Sequence, residues 1–159
     1  MASPQGLGTW LAKWGLLPEE TELTESDAGR AREIRTGLRS LMLAHGGAKI
    51  DPEAIARLDQ AAAGASPRMR FDPDGSVRME LLARTFEEAL GSLIGIVFTA
   101  QLEGTWSRLK VCGDQECRTV FYDTSSNRVS KWCSLRCGNR MRARAYRGGK
   151  KYRRRAGRW

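Results

Sequence analysis

The chain has 159 residues, 41% hydrophobic and 28% charged, with a formal net charge of +9. That apolar content supports a buried core and excludes a wholly disordered chain. The charge is uneven: residues 1–107 carry 11 Lys/Arg against 15 Asp/Glu, residues 108–159 carry 16 against 3, so a slightly acidic body precedes a basic end suited to a polyanionic partner.

The opening MASPQGLGTWLAKWG lacks the basic, apolar and small-residue succession of a secretory signal. The longest apolar run, 89–102, is shorter than the roughly 20 residues of a membrane helix. A cytoplasmic protein with no membrane partner and with reduced cysteines is expected.

Two tryptophans and three leucines over 9–17 predict a short amphipathic helix ended by Pro18. Thr24 and Asp27 make a loose capping box. Ala31, Ile34, Leu38, Leu41 and Met42 then recur at helical spacing until Gly46-Gly47. The next helix has Asp51 as N-cap, Pro52 in its first turn and Gly64 as its stop. Around Asp74-Gly75 the period changes to two, with Met69 and Phe71 before the turn and Val77 and Met79 after it, which predicts a β-hairpin. From 81 to 102 the helical period returns through Leu82, Phe86, Leu90, Leu93, Ile94, Val97 and Phe98. This should be the buried central helix, with Gly91 and Gly95 allowing close packing. Gly104-Thr105 reads as a short linker, so 1–104 is expected to form one helical domain.

His45, the only histidine, sits beside a helix stop and reads as structural. Glu87 and Glu88 point roughly 100° apart on a helix and read as a solvated face, not an acid/base pair. With no phosphate-binding glycine loop and no nucleophile–base set, an enzyme is not expected.

The four cysteines, Cys112, Cys117, Cys133 and Cys137, have the spacing C-x4-C-x15-C-x3-C. Two close pairs with a folding-back segment between them match a four-thiolate structural zinc site, one ion per chain. Disulfides suit a reducing compartment poorly, and neither pair is the C-x-x-C of a redox motif. Cys133 and Cys137, four residues apart, are expected on the first turn of a helix. A knuckle, a hairpin and that helix make a treble-clef-like module, with Phe121 and Trp132 as its small core. Arg136 and Arg140 are placed to offset the net negative charge of four thiolates around a divalent ion. The fold class is mainly α with a small β-hairpin: a helical N-terminal domain followed by an α+β finger.

The stretch FYDTSSNRVSKWCSLRCGNRMRARAYR, with the upstream cysteine pair, resembles the CGNR zinc finger family. Cys137-Gly138-Asn139-Arg140 carry its name, Trp132-Cys133-Ser134 and Tyr146-Arg147 fit its pattern, and Asp123 follows the aromatic position. Lys131 and Arg142 stand where Arg and Lys are common. The upstream residues resemble, more weakly, the helical domain described as a stress-induced transcription regulator, on WLAKWGLL, LRSLMLA and the late hairpin. The chain starts after a segment with an Asp-Leu-x-Asn-Thr-like motif common in that family, so this domain is shortened or divergent. The resemblance implies a bacterial, stress-responsive regulator that binds DNA in the nucleoid. It leaves a small-molecule effector of the first domain and a homo-oligomer open.

On a helix from 134 to 147, Arg136, Arg140, Arg144 and Arg147 fall within about 80° of one another and predict one nucleic-acid-binding stripe. Gly138 allows a close approach, and Asn139 is expected to bond inward to the knuckle in preference to reading an adenine edge. Tyr146 reads as packing. After Gly148-Gly149, the cations Lys150, Lys151, Arg153, Arg154 and Arg155 lack an apolar period, so 148–159 is expected to be a flexible basic tail adding salt-sensitive affinity. The finger proper is 106–147. Duplex DNA is the expected partner; RNA binding, or a protein-interaction finger without nucleic acid, are the alternatives.

Overall fold

The computed structural model describes residues 3–80 and 83–156, the side chains of 149–156 excepted. Among these residues it has five α-helices and two two-stranded antiparallel sheets. They fall into two compact units. No helix among the described residues is long and apolar enough to cross a membrane.

The first unit takes the chain to Leu41 and from Ile50 to Trp106. Helix α1 is Pro4–Lys13, so it starts and stops earlier than the predicted 9–17. Ser3 caps it by accepting from Gly6 N at 3.2 Å, and Pro4 fills the first turn. Its stop is Gly15, not Pro18. With φ at 65°, Gly15 lets Leu16 N bond Leu11 O at 3.0 Å and Gly15 N bond Ala12 O at 2.9 Å, a Schellman closure. Helix α2, Glu25–Ala44, begins with the expected reciprocal cap: Asp27 N donates to Thr24 Oγ1 at 3.2 Å and Thr24 N to Asp27 Oδ2 at 2.9 Å. Helix α3, Pro52–Ala62, has Asp51 as N-cap.

Strands β1 (Arg68–Phe71) and β2 (Val77–Glu80) pair with Met69 opposite Met79 and Phe71 opposite Val77, the predicted hairpin. Helix α4 is Phe86–Leu102 with Thr85 as its cap. Its glycines serve contact: a Cβ on Gly91 would lie 2.4 Å from Pro67 N, and one on Gly95 2.2 Å from Met79 Sδ. Leu7, Leu11, Leu16, Leu17, Ile34, Phe86 and Leu90 form the core with several alanines. Each such Leu, Ile or Phe contributes about 1.5–3 kcal/mol by burial. Two expectations fail here. Only the first half of α4 is buried: Ile96, Phe98 and Leu102 are exposed, because no element of this unit covers the second half's outer side. Leu82 lies outside the described residues. The Glu87-Glu88 pair is not simply solvated. Glu87 is held in a two-pronged ion pair by Arg30, which also donates to Ala61 O and Ala63 O at the end of α3, and Glu88 pairs with Arg68 at 3.3 Å.

The second unit is Met42–Lys49 together with the chain from Ser107. The end of α2 and its Gly47 closure therefore group with the chain from Ser107. The physical link is His45, whose Nδ1 lies 2.7 Å from Leu109 O and donates to it when protonated there. After a 3-10 turn at Trp106–Arg108, strands β3 (Leu109–Val111) and β4 (Val120–Tyr122) pair with Lys110 opposite Phe121. Helix α5 is Leu135–Ala156. It runs through Gly148-Gly149, so the backbone of 148–156 is helical where an irregular tail was expected. Two glycines cost about 1 kcal/mol each relative to alanine, and the surrounding Lys, Arg and Ala are good helix formers. The side chains of Lys150, Lys151, Arg153, Arg154 and Arg155 lie outside the described ones.

Candidate metal centre

The finger is assembled around a tight turn that follows β3. Cys117 N and Arg118 N both donate to Asp114 O, at 2.9 and 3.0 Å, and Glu116 N donates to Asp114 Oδ1 at 3.2 Å. Arg118 takes a left-handed φ of 52° to close this turn. Cys112 N bonds Thr119 O and Gly113 N bonds Lys131 O, each at 2.9 Å, which brings the segment carrying Cys133 beside the knuckle. Cys133 lies just before α5 and not on its first turn, because Ser134 is the capping residue: its Oγ accepts from Cys137 N at 3.4 Å. Cys137 lies on that turn.

All four Sγ atoms lie within 4.8 Å of one another. Cys117 and Cys133 are 3.6 Å apart, Cys133 and Cys137 3.8 Å. These spacings are far beyond the roughly 2.0 Å of a disulfide, and all four cysteines are free. Tetrahedral bonds of about 2.3 Å put sulfurs about 3.8 Å apart, so the donor set fits one tetrahedral metal ion. The thiols are unequal without a cation. Thr119, through its hydroxyl and then its backbone, holds Cys117 down to about 6, whereas burial and then the neighbouring sulfurs push Cys133 up to about 12. Four thiolates crowd like charge into one site, and a central divalent cation removes that conflict.

Trp132 packs between two glycines: a Cβ on Gly113 or Gly138 would come within 3.0 or 3.1 Å of its ring. This is the close approach expected of Gly138, and its neighbour is the tryptophan. Phe121 is half-buried in the hairpin, opposite Lys110 in its register.

The three acidic residues of the basic half all face inward or clamp inward. Asp123 is 1% exposed. It accepts from Lys110 Nζ at 2.8 Å, Ser130 N at 2.9 Å and Ser125 N at 3.0 Å, which fixes the loop between β4 and Trp132 and does not touch the sulfurs. The Lys110 ammonium, then the Ser125 hydroxyl, hold its carboxyl well below the usual carboxylate range. Asp114 is fully buried. Burial alone would raise it, but its bonds from Arg140 and Glu116 N and the charges of Arg140 and Arg144 outweigh that, and it too is lowered. A depressed carboxyl contributes stability that is present above its unfolded value, about 3.9, and is lost as pH falls through the folded value. Asp123→Asn should therefore lower the melting temperature at pH 7, by about 5 °C or more. The gap from wild type should narrow below about pH 4. A gap that stayed constant down to pH 2 would contradict the inward role of this charge.

These clamps engage two arginines of the predicted stripe. Arg140 Nε and Nη2 pair with Asp114, and Arg140 Nη1 lies 3.6 Å from Glu116. Arg144 reaches Asp114 Oδ1 at 3.4 Å and also pairs with Glu116. Arg140 Nη2 is 3.8 Å from Cys137 Sγ, so Arg140 is placed to give the expected offset of thiolate charge. Relative to Cys137, positions 140 and 144 turn toward the knuckle, whereas 136, 139, 142, 143, 146 and 147 turn away and are exposed. Asn139 points outward, with Arg142 Nη1 donating to its Oδ1 at 3.4 Å, so the expected inward bond is absent. Tyr146 is exposed, against the packing role expected for it.

Among known families, the model described as CGNR zinc finger matches residues 108–150. The ABATE model, described as putative stress-induced transcription regulator, matches residues 1–95. No curated protein matches the chain.

Proposed function

We propose that this chain, which belongs to the ABATE family of putative stress-induced transcription regulators and carries a CGNR zinc finger, is a zinc-dependent regulator that binds duplex DNA of the bacterial nucleoid in the cytoplasm. The ion is Zn²⁺, held by Cys112, Cys117, Cys133 and Cys137. Four thiolates suit it and leave no open coordination position, so its role is structural and catalysis by this ion is not expected. Bound there, it supplies the rigid junction from which α5 projects.

The observation that carries the reading is the outward side of α5, where Arg136, Asn139, Arg142 and Arg147 are exposed together just beyond Cys133 and Cys137. Arginines on one exposed helix side suit phosphates or guanine edges, and an asparagine suits an adenine edge. The helical backbone continuing to Ala156 extends a run of cationic sequence along the same element. Arg140 and Arg144, committed to Asp114 and Glu116, brace this surface from behind.

The test is fluorescence anisotropy with duplex DNA over a salt series. The triple variant Arg136→Ala, Arg142→Ala, Arg147→Ala should retain its zinc and lose more than tenfold in affinity. Its salt slope should fall by about 2–3, at roughly 0.9 per phosphate contact. An unchanged slope would remove the support for this surface. Tighter binding to structured RNA than to duplex would favour the RNA reading.

A further inference from the structure

The first unit has an apolar face that its own described residues leave exposed. The inner side of the β1–β2 hairpin and the second half of α4 form the walls of a cleft of about 870 Å³, lined by Met69, Val77, Met79, Ile94, Phe98 and Leu102 among others. Phe71 and Leu102 project at its edge, 75% and 73% exposed. The opposite side of the hairpin is different. There Arg68 and Arg70 pair with Glu80 at 3.8 Å, and at the hairpin's mouth Arg78 pairs with Asp72 at 2.8 Å. The polar side is satisfied within the chain, and the apolar side is not.

We infer that this face is the interface of a two-fold dimer, with a second copy of the chain as its occupant. The first reason is area. Met69, Phe71, Val77, Ile96, Phe98 and Leu102 are between 45% and 75% exposed. With about 200 Å² for a full phenylalanine and less for the aliphatic side chains, that amounts to roughly 600–700 Å². The largest apolar patch of an ordinary monomer is about 300–600 Å². A standard interface takes about 800 Å² from each partner. The second reason is helix composition. The run GIVFTAQL at the end of α4 has almost no polar side, and a helix apolar all round is normally buried all round. The third is shape. A two-fold interface must be self-complementary, and this face carries both a cleft and projecting side chains that a second copy could seat in it. The inference stands apart from nucleic-acid binding.

The experiment is sedimentation velocity on the zinc-loaded full chain from 1 to 100 μM, compared with Phe98→Asp and Met69→Asp. Both replaced side chains are exposed, so zinc content and circular dichroism should match wild type. The expected result is a dimer for wild type and monomers for both variants, with at least a hundredfold rise in dissociation constant. A wild type that is monomeric at 100 μM overturns the inference. So does a dimer that both variants preserve. Should a monomeric wild type bind an anilinonaphthalene sulfonate dye one-to-one and Phe98→Asp abolish it, the face belongs to a small apolar ligand and the dimer is overturned.

Discussion

Removal of zinc with a strong chelator should unfold the finger and leave the first unit folded. Structural zinc in small fingers contributes about 10–16 kcal/mol. Little else holds this module: two three-residue strands, one half-buried tryptophan and three buried or clamping carboxylates. The core of α1, α2, α3 and α4 uses none of the cysteines. In an amide correlation spectrum, resonances from 107–148 should collapse toward random-coil positions while those of Leu7 to Leu38 and Phe86 to Leu90 keep their dispersion. Cys137→Ser should reproduce the collapse at ordinary zinc levels. A finger that kept its dispersion in excess chelator would mean that packing, not the metal, holds it.

The second large effect is expected at Asp114. This residue is not one of the four sulfur donors, yet it accepts from Arg140, which lies against Cys137 Sγ, and its main-chain oxygen receives Cys117 N. Groups that orient ligands in this way typically contribute 10–100-fold in metal affinity. Asp114→Asn keeps the size and the turn but leaves Arg140 and Arg144 without their buried anion. Zinc affinity, measured by competition with a calibrated chelator, should fall by about tenfold or more. Glu116→Gln, at an exposed position, should cost much less. An Asp114→Asn protein within twofold of wild type would show that the arginines need no buried counter-charge.

The legible parts of the fold were those fixed by local chemistry. The Thr24–Asp27 cap, Asp51-Pro52 at the start of α3, the Gly46-Gly47 stop and the Asp74-Gly75 turn each depend on a few neighbouring residues. The cysteine spacing was legible for the same reason, since a tetrahedral ion constrains both pairs. Long-range pairing was not. A 100° helical projection puts Arg136, Arg140, Arg144 and Arg147 close together, but it does not say which edge of that stripe meets the knuckle. The missed signal was Asp114 and Glu116, acids two apart between the first two cysteines, set to receive an arginine pair four apart. Asn139 was misassigned because adjacency to a ligand in sequence was taken for adjacency in space, and one helical step turns a side chain by 100°. In the first unit, apolar periodicity identified α4 but gave no information on how much of it this chain could cover.

The inward commitment of Asp114, Glu116 and Asp123 bears on how such a protein can change over generations. Two arginines of α5 are tied to folding, and the neighbouring outward positions 136, 139, 142 and 147 are tied to none of the three acids. If the outward positions make the proposed DNA contacts, replacements there should alter binding with little effect on metal retention, whereas replacements at 140 or 144 should disturb both. Under that proposal, descendants of one ancestral finger would diverge in target preference while inheriting the same scaffold, with change concentrated on a few residues of α5.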